Sequence, residues 1–197
     1  YMSINIEENI KKFEKWCYAY IKSEKNKDRV KPFLEYLEKS DFYIAPASLS
    51  KHLSCEGGLC QHTMNVINRL FVEVNSSTNE TVLPPETKEA IFMAAAFHDL
   101  CKIGKYKKVQ QKKDNSETEY FIDVKDKLPL GHSEKSLFIA QKFFEIPENV
   151  AVAIRWHMGF SDSSFLGGNK SIGFAFKEYP LSLLLYIADL KATIMDE

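Results

Sequence analysis

The chain has 197 residues, 45% of them hydrophobic, and a formal net charge of −1. That length and apolar content support a core that needs no disulfide staples, and the near-neutral balance supplies no global field toward nucleic acid or an anionic membrane. No apolar run reaches the roughly 20 residues that cross a bilayer, and the opening segment carries early acids without an apolar h-region, against a signal peptide.

In chain order, Ile6, Ile10, Phe13, Trp16, Cys17 and Tyr20 recur at helical intervals and predict an amphipathic helix. After the polar stretch EKNKD, Val30, Phe33, Leu34 and Leu37 predict a second helix, with Pro32 in its first turn, where a missing N–H costs little. APASLSKHLS reads as one short helix that EGGL breaks. From His62, HTMNVINRLFVEV reads as helix, and SSTNETVLPP as a loop. ETKEAIFMAAAFHDLCKI opens with acids and turns almost wholly apolar, as a buried central helix does. YKKVQQKKDNSETEYFIDVKD holds two β-favouring runs around the turn-forming cluster DNSE and predicts a β-hairpin. GHSEKSLFIAQKFFE resumes helical spacing. IPENVAVAIRWHMG is a helix punctuated by Pro147 and Gly159. SDSSFLGGNKS is a loop, and YPLSLLLYIADLKATIMDE a last, apolar helix. The expected fold class is all-α, a compact helical bundle with a small β-hairpin insert. One domain is expected over residues 1–197, with helices at 5–40 packed on a core of about 52–195.

Four cysteines, Cys17, Cys55, Cys60 and Cys101, are expected as free thiols in a cytoplasmic protein. The stretch CEGGLCQH, Cys55 to His62, looks at first like half of a zinc knuckle. A closed structural zinc site needs four ligands, typically two close pairs, and Cys17 and Cys101 are distant singles. His62 is therefore separated from its neighbouring cysteines, and Gly57 and Gly58 become the bend that needs glycine's backbone freedom.

The chain has five histidines: His52, His62, His98, His132 and His157. Each lies near a helix end or beside glycine or apolar residues. His98 is followed by Asp99 within AAAFHDLCK, where the preceding turn is purely apolar. A buried carboxylate there needs a partner, and imidazole with carboxylate suits a divalent transition metal better than calcium. Asp189 is a second acid inside an apolar helical run, LLLYIADLKAT. One metal centre accounts for both acids and for the histidines at the helix ends; the plainer alternative for each alone is a hydrogen-bonded core residue.

The order His62, His98-Asp99, His132, His157, Asp189 resembles the HD-domain phosphohydrolase superfamily, and more closely its branch with two extra histidines between the doublet and the final Asp. The strings EGGLCQHTMNV, AAFHDLCKIGKY, PLGHSEKS, IRWHMG and YIADLKAT carry the resemblance over about residues 52–193. It implies a helical bundle of the HD-domain type. It implies that His62, His98, Asp99 and Asp189 are metal ligands and that His132 and His157 complete a second site, with Asp99 bridging. The implied cofactor is one or two divalent ions, with manganese, iron, magnesium, nickel and zinc undistinguished.

The activity implied is hydrolysis of a phosphoester in a small nucleotide-type or nucleic-acid substrate by metal-activated water. The charge does not indicate nucleic acid, and no membrane partner is expected. Asp99 and Lys102 are the expected catalytic residues. Lys102 also matches the family's lysine after the doublet and, with His52 and Arg155, is a candidate substrate contact. For Arg155 the alternative is a structural ion pair, and for His52 a surface position. Cys101 stands where the family usually has glycine, and is expected to act on packing. The Lys102–Lys113 run reads mainly as a solvated hairpin face. Two other functions fit the same residues: a metal- and nucleotide-binding module without turnover, and a di-iron oxygenase on the same scaffold.

Overall fold

A computed structural model of the chain describes residues 4–113, 116–126 and 128–197, with the side chains of 111–113 and 116–118 left aside. Among the described residues it is mostly helical. In order come α1 (Ile6–Tyr20), α2 (Val30–Lys39), α3 (Gly58–Ser77), α4 (Pro85–Phe97), β1 (Tyr106–Lys113), β2 (Ser116–Asp123), α5 (His132–Gln141), α6 (Glu148–Trp156), α7 (Ser163–Leu166), α8 (Ser171–Glu178) and α9 (Pro180–Lys191). This is the all-α bundle with a hairpin insert that the periodicity predicts.

The apolar central stretch becomes α4, whose residues Glu89–Phe97 are all buried. Helices α3 and α6 pack against it, and α9 packs on both of them. Their buried faces supply Val66, Ile67 and Leu70 from α3, Val150 and Ile154 from α6, and Leu185 and Ala188 from α9. On the N-terminal side, α1 starts cleanly because the Asn5 side chain caps it, accepting from the Glu8 N–H at 3.1 Å. It inserts Phe13 against Phe42 and Phe92, with ring centroids 5.2 and 6.3 Å away. From α2, Phe33 meets Phe97 edge-on at 5.2 Å. The hairpin is antiparallel, running from Tyr106 opposite Asp123 to Lys113 opposite Ser116. The expected turn residues Asp114 and Asn115 lie outside the described residues.

Four local expectations change. APASLSKHLS forms no helix, because the Ser48 hydroxyl takes over the backbone hydrogen bonding locally. It donates to the His52 carbonyl at 2.7 Å and accepts from the Lys51 N–H at 3.0 Å. Helix α3 begins at Gly58, so His62 lies one turn inside it rather than at its head. Helix α4 ends at Phe97, and the doublet opens a 3₁₀ turn, Leu100–Lys102. Finally, the glycine-rich stretch thought to be all loop contains α7 and leads into α8. Asp162 nucleates α7 by accepting from the Ser164 N–H at 2.8 Å.

The end of α3 that carries His62 is tied to the preceding loop by two backbone hydrogen bonds, Gly57 N–H to the Ile44 carbonyl and Leu59 N–H to that of Ala45, at 3.1 and 2.9 Å. The loop closes on itself through Ala47 N–H donating to the Leu53 carbonyl at 3.0 Å. Gly57 sits at φ +81°, the left-handed region. A Cβ on Gly58 would lie 2.1 Å from the Leu53 carbonyl oxygen. Each glycine of the EGG bend thus has its own reason: one for its torsion, the other for the backbone it touches.

Candidate metal centre

Three helix ends and the interiors of two further helices meet at the exit of α4. His62 comes from the second turn of α3, His98 and Asp99 from the exit of α4, His132 from the first position of α5, His157 from the end of α6, and Asp189 from α9. His98 and Asp99 can converge although they are neighbours because the helix stops between them. His98 keeps helical torsions, whereas Asp99 turns to φ −112°, ψ 15°. The turn is held by α5, where the Ser136 hydroxyl accepts from the Cys101 N–H at 3.0 Å.

Around His62 Nε2 lie Asp189 Oδ1 at 3.1 Å, Asp99 Oδ2 at 3.5 Å and His98 Nε2 at 3.4 Å. Donor atoms bound about 2.0–2.2 Å from one ion stand about 3.0–3.5 Å apart in tetrahedral or octahedral geometry, so the spacing fits a shared cation. The two oxygens of Asp99 face different ways. While Oδ2 looks toward His62 and His98, Oδ1 lies 2.8 Å from His132 Nε2 and 4.0 Å from His157 Nε2. The six histidine and aspartate residues are thus brought together.

The ring orientations favour ligation. His98 Nδ1–H donates to the Ala95 carbonyl at 2.7 Å, and His157 Nδ1–H to the Ile154 carbonyl at 2.7 Å, which leaves each Nε2 as the lone-pair nitrogen facing the centre. His62 Nδ1–H donates to Glu197 Oε1 at 2.9 Å. Most telling is His157. Its side chain is fully buried, and its Nε2 has no hydrogen-bond partner among the described residues. Burial, then the charges of His98 and His132, push its pKa down to about 3, so that nitrogen carries no proton. A buried lone pair left without a donor is costly, and a cation is the chemistry that satisfies it.

Charge in the metal-free chain is balanced by protons. Burial works against the charged form of His62, but Asp189 and Glu197 raise its pKa to about 9. Burial likewise opposes charge on His132, yet contacts with Asp99 and Cys101 raise it to about 10. Lys102 Nζ sits 2.7 Å from Asp99 Oδ2, and this carboxylate overcomes burial to hold the ammonium above its ordinary range. Against its own burial, Asp99 is kept well below the usual carboxylate range by Lys102, His98 and His132. Asp189 is depressed by His62 and His98. A divalent ion can take over the role of these protons.

His52 lies at the rim, its ring centroid 4.8 Å from that of His62. Neither of its nitrogens has a hydrogen-bond partner among the described residues, and burial, His62 and Lys102 push its pKa down. Arg155 is not brought into the cluster. Its Nε donates to Glu134 Oε1 at 2.9 Å, and its NH1 to Asp162 Oδ2 at 3.0 Å, so its guanidinium is engaged by acids of α5 and of the segment before α7. Two residues enter unforeseen. Glu197 reaches His62 through a π-helical turn, Ala192–Asp196, which Arg69 anchors by its pair with Asp196. Cys101 Sγ lies 3.2 Å from His132 Nδ1.

The cysteines of CEGGLCQH stay out of the centre. Cys60 is buried in the apolar core, which pushes its thiol up to about 12, and Cys55 is exposed. Replacing Cys55 with serine and Cys60 with alanine is expected to leave bound metal unchanged by elemental analysis, whereas His62→Ala lowers it.

The helical bundle thus gathers histidines and carboxylates of several helices around one carboxylate with two faces, an arrangement that could hold divalent metal. The HD domain family model matches residues 60–192, and the chain belongs to that family. Its members are in general metal-dependent phosphohydrolases. Comparison with curated proteins and with solved structures gives no match.

Proposed function

We propose that the protein hydrolyses a phosphoester of a nucleotide-type substrate in a two-ion centre. His62, His98, Asp99 and Asp189 would hold one ion, and Asp99, His132 and His157 would complete the place of a second. The observation that carries this reading is the pairing of Asp99's two differently directed oxygens with the unpartnered Nε2 of His157. A centre with one ion beside His62 would leave His157 without a task.

When bound, divalent ions acidify water and draw charge from a phosphoryl oxygen. The chain's own residues supply the rest. Asp99 sets the relative position of the two groups of ligands and orients the reacting water. Lys102 remains cationic beside it and is placed to pair with a substrate phosphate. His52, whose ring nitrogens have no hydrogen-bond partner among the described residues, is placed beside His62 to offer a substrate a hydrogen bond.

A cavity of about 200 Å³ lies at the root of the hairpin, lined by Ile44, Ala45, Tyr106 and Phe121 with Asp41, Glu56 and Lys108. Tyr106 is close enough to Lys102 and Asp99 for their charges to act on it. The cavity's aromatic and aliphatic wall suits a nucleobase, and a smaller cavity of about 130 Å³, which His157 and Asp189 themselves line with Tyr186 and Leu190, opens on the centre from another side.

The test is phosphate release from a panel of nucleotides and simple phosphoesters by protein loaded with manganese. Turnover of nucleotides that falls when Tyr106 is changed to alanine supports the proposal. Saturable nucleotide binding without turnover overturns it in favour of a binding module. Oxygen uptake coupled to substrate loss in the iron-loaded protein overturns it in favour of oxidative chemistry.

A further inference from the structure

Cys101 lies three residues from His98 on the turn that presents the metal-binding carboxylate, and it is 3% exposed. Its sulfur is 3.2 Å from His132 Nδ1 and 3.4 Å from His132 Nε2, and the latter nitrogen is 2.8 Å from Asp99 Oδ1. One donor atom each from Asp99, Cys101 and His132 lie within 4.8 Å of one another. Zinc binds sulfur at about 2.3 Å and imidazole nitrogen at about 2.0–2.1 Å. Around a tetrahedral ion such donors stand about 3.3–3.6 Å apart. The sulfur is already that far from Nε2 but is equally near Nδ1, so it lies against the flank of the His132 ring, and sharing an ion requires that ring to turn.

A second observation points to the same place independently of the thiol. The unpartnered Nε2 of fully buried His157 stands 4.0 Å from Asp99 Oδ1, the oxygen that faces His132. The rings of His132 and His157 are 5.2 Å apart. Asp99 Oδ1 therefore stands between the Cys101–His132 pair on one side and the His157 nitrogen on the other, and the backbone of Cys101 is fixed there by Ser136.

We propose that Cys101 is a metal ligand: with Asp99, His132 and His157 it makes a thiolate-containing position that selects thiophilic divalent ions, beside the nitrogen–oxygen position of His62, His98 and Asp189. This rests on the reading of the site as a metal centre. Binding exchanges the S–H bond for a metal–sulfur bond and releases the proton to water. Soft thiolate favours zinc, cobalt or cadmium over manganese or magnesium, so the two positions differ in preference. A mixed pair of ions follows.

Cobalt(II) reads both positions at once. Titration of the metal-free protein is expected to give visible ligand-field bands together with a sulfur-to-cobalt charge-transfer band in the near ultraviolet. Cys101→Ser removes the charge-transfer band and keeps ligand-field absorption from the other position, and Cys55→Ser changes neither. In competition titrations Cys101→Ser weakens cadmium binding by more than about tenfold and leaves manganese within about threefold.

Cobalt bound to the wild-type chain without a charge-transfer band overturns the thiolate ligand while leaving the metal centre standing. Persistence of the band in Cys101→Ser does the same. No cobalt bound by elemental analysis overturns the metal centre and this proposal together. The wild-type spectrum decides even where the serine variant folds poorly, and Cys101→Ala provides a second comparison.

Discussion

Asp99→Asn is expected to lower phosphoester turnover by about a thousandfold or more and to lower bound metal at both positions. Its two carboxylate oxygens point to the two groups of candidate ligands separately. Oδ2 is within 3.5 Å of the nearest nitrogens of His62 and His98, and Oδ1 within 2.8 Å of His132. An amide keeps the shape but not the charge, and one of its two atoms becomes a donor that repels a cation. The same change acts on the metal-free fold. Lys102, the partner of Asp99 at 2.7 Å, is left with its ammonium largely buried, and His62 and His132 lose an anion. Removing one member of a buried ion pair costs about 3–5 kcal/mol, which in a chain of this size lowers the melting temperature by about 10 °C. Thermal denaturation in chelator and elemental analysis in excess cobalt separate the two effects. A metal-free melting temperature equal to that of the unmodified chain contradicts the charge balance described for the centre. Unchanged metal content contradicts the role of Asp99 as the shared carboxylate.

Much of the candidate site can be read from sequence because four of its six residues sit at points of local punctuation. His132 follows Gly131, His157 precedes Gly159 by two residues, and His98-Asp99 ends the most apolar helix. These are chemical types at helix ends, and a helix end is visible in one dimension. The contributions of Glu197, Cys101 and Arg155 are not visible in that way. Whether Glu197 meets His62 depends on the path of a π-helical turn anchored by Arg69. Cys101 appears in sequence only as a small residue before a lysine, and His132, its neighbour in space, belongs to another helix. Arg155 looks free for a phosphate until α5 and the segment before α7 bring Glu134 and Asp162 to it. The helices follow the same division. Periodicity finds α1 to α6 and α9, because each presents an apolar stripe or a wholly buried run. It misses α7 and α8, which lie behind glycines and a polar cap, and it makes a helix of APASLSKHLS, where one serine hydroxyl satisfies the backbone instead.

Gly58→Ala tests how the fold aims His62, and its expected sign is opposite to that of an ordinary helix substitution. Alanine inside a helix is better than glycine by about 0.8–1.0 kcal/mol, and Gly58 is the first residue of α3. Here the added Cβ would lie 2.1 Å from the Leu53 carbonyl oxygen and 2.9 Å from the Ala47 nitrogen. Both are backbone atoms, and they are joined to each other by a 3.0 Å hydrogen bond. No rotamer change can relieve the contact, so the 44–53 loop has to move off the helix. Overpacking costs about 1–3 kcal/mol and occasionally more, and a rigid backbone contact belongs at the upper end. The melting temperature is expected to fall by about 6–12 °C. His62 is one turn further along α3, and His52 rides on the displaced loop, so metal affinity should weaken even at temperatures where the variant is folded. His98, Asp99 and His132 stand on other elements and keep their places. Excess metal should then restore a large part of turnover to Gly58→Ala, as it cannot for Asp99→Asn. Denaturation curves with and without manganese, and turnover against manganese concentration, measure both consequences. An unchanged melting temperature would show that the loop gives way freely and that the glycine does not set the position of His62.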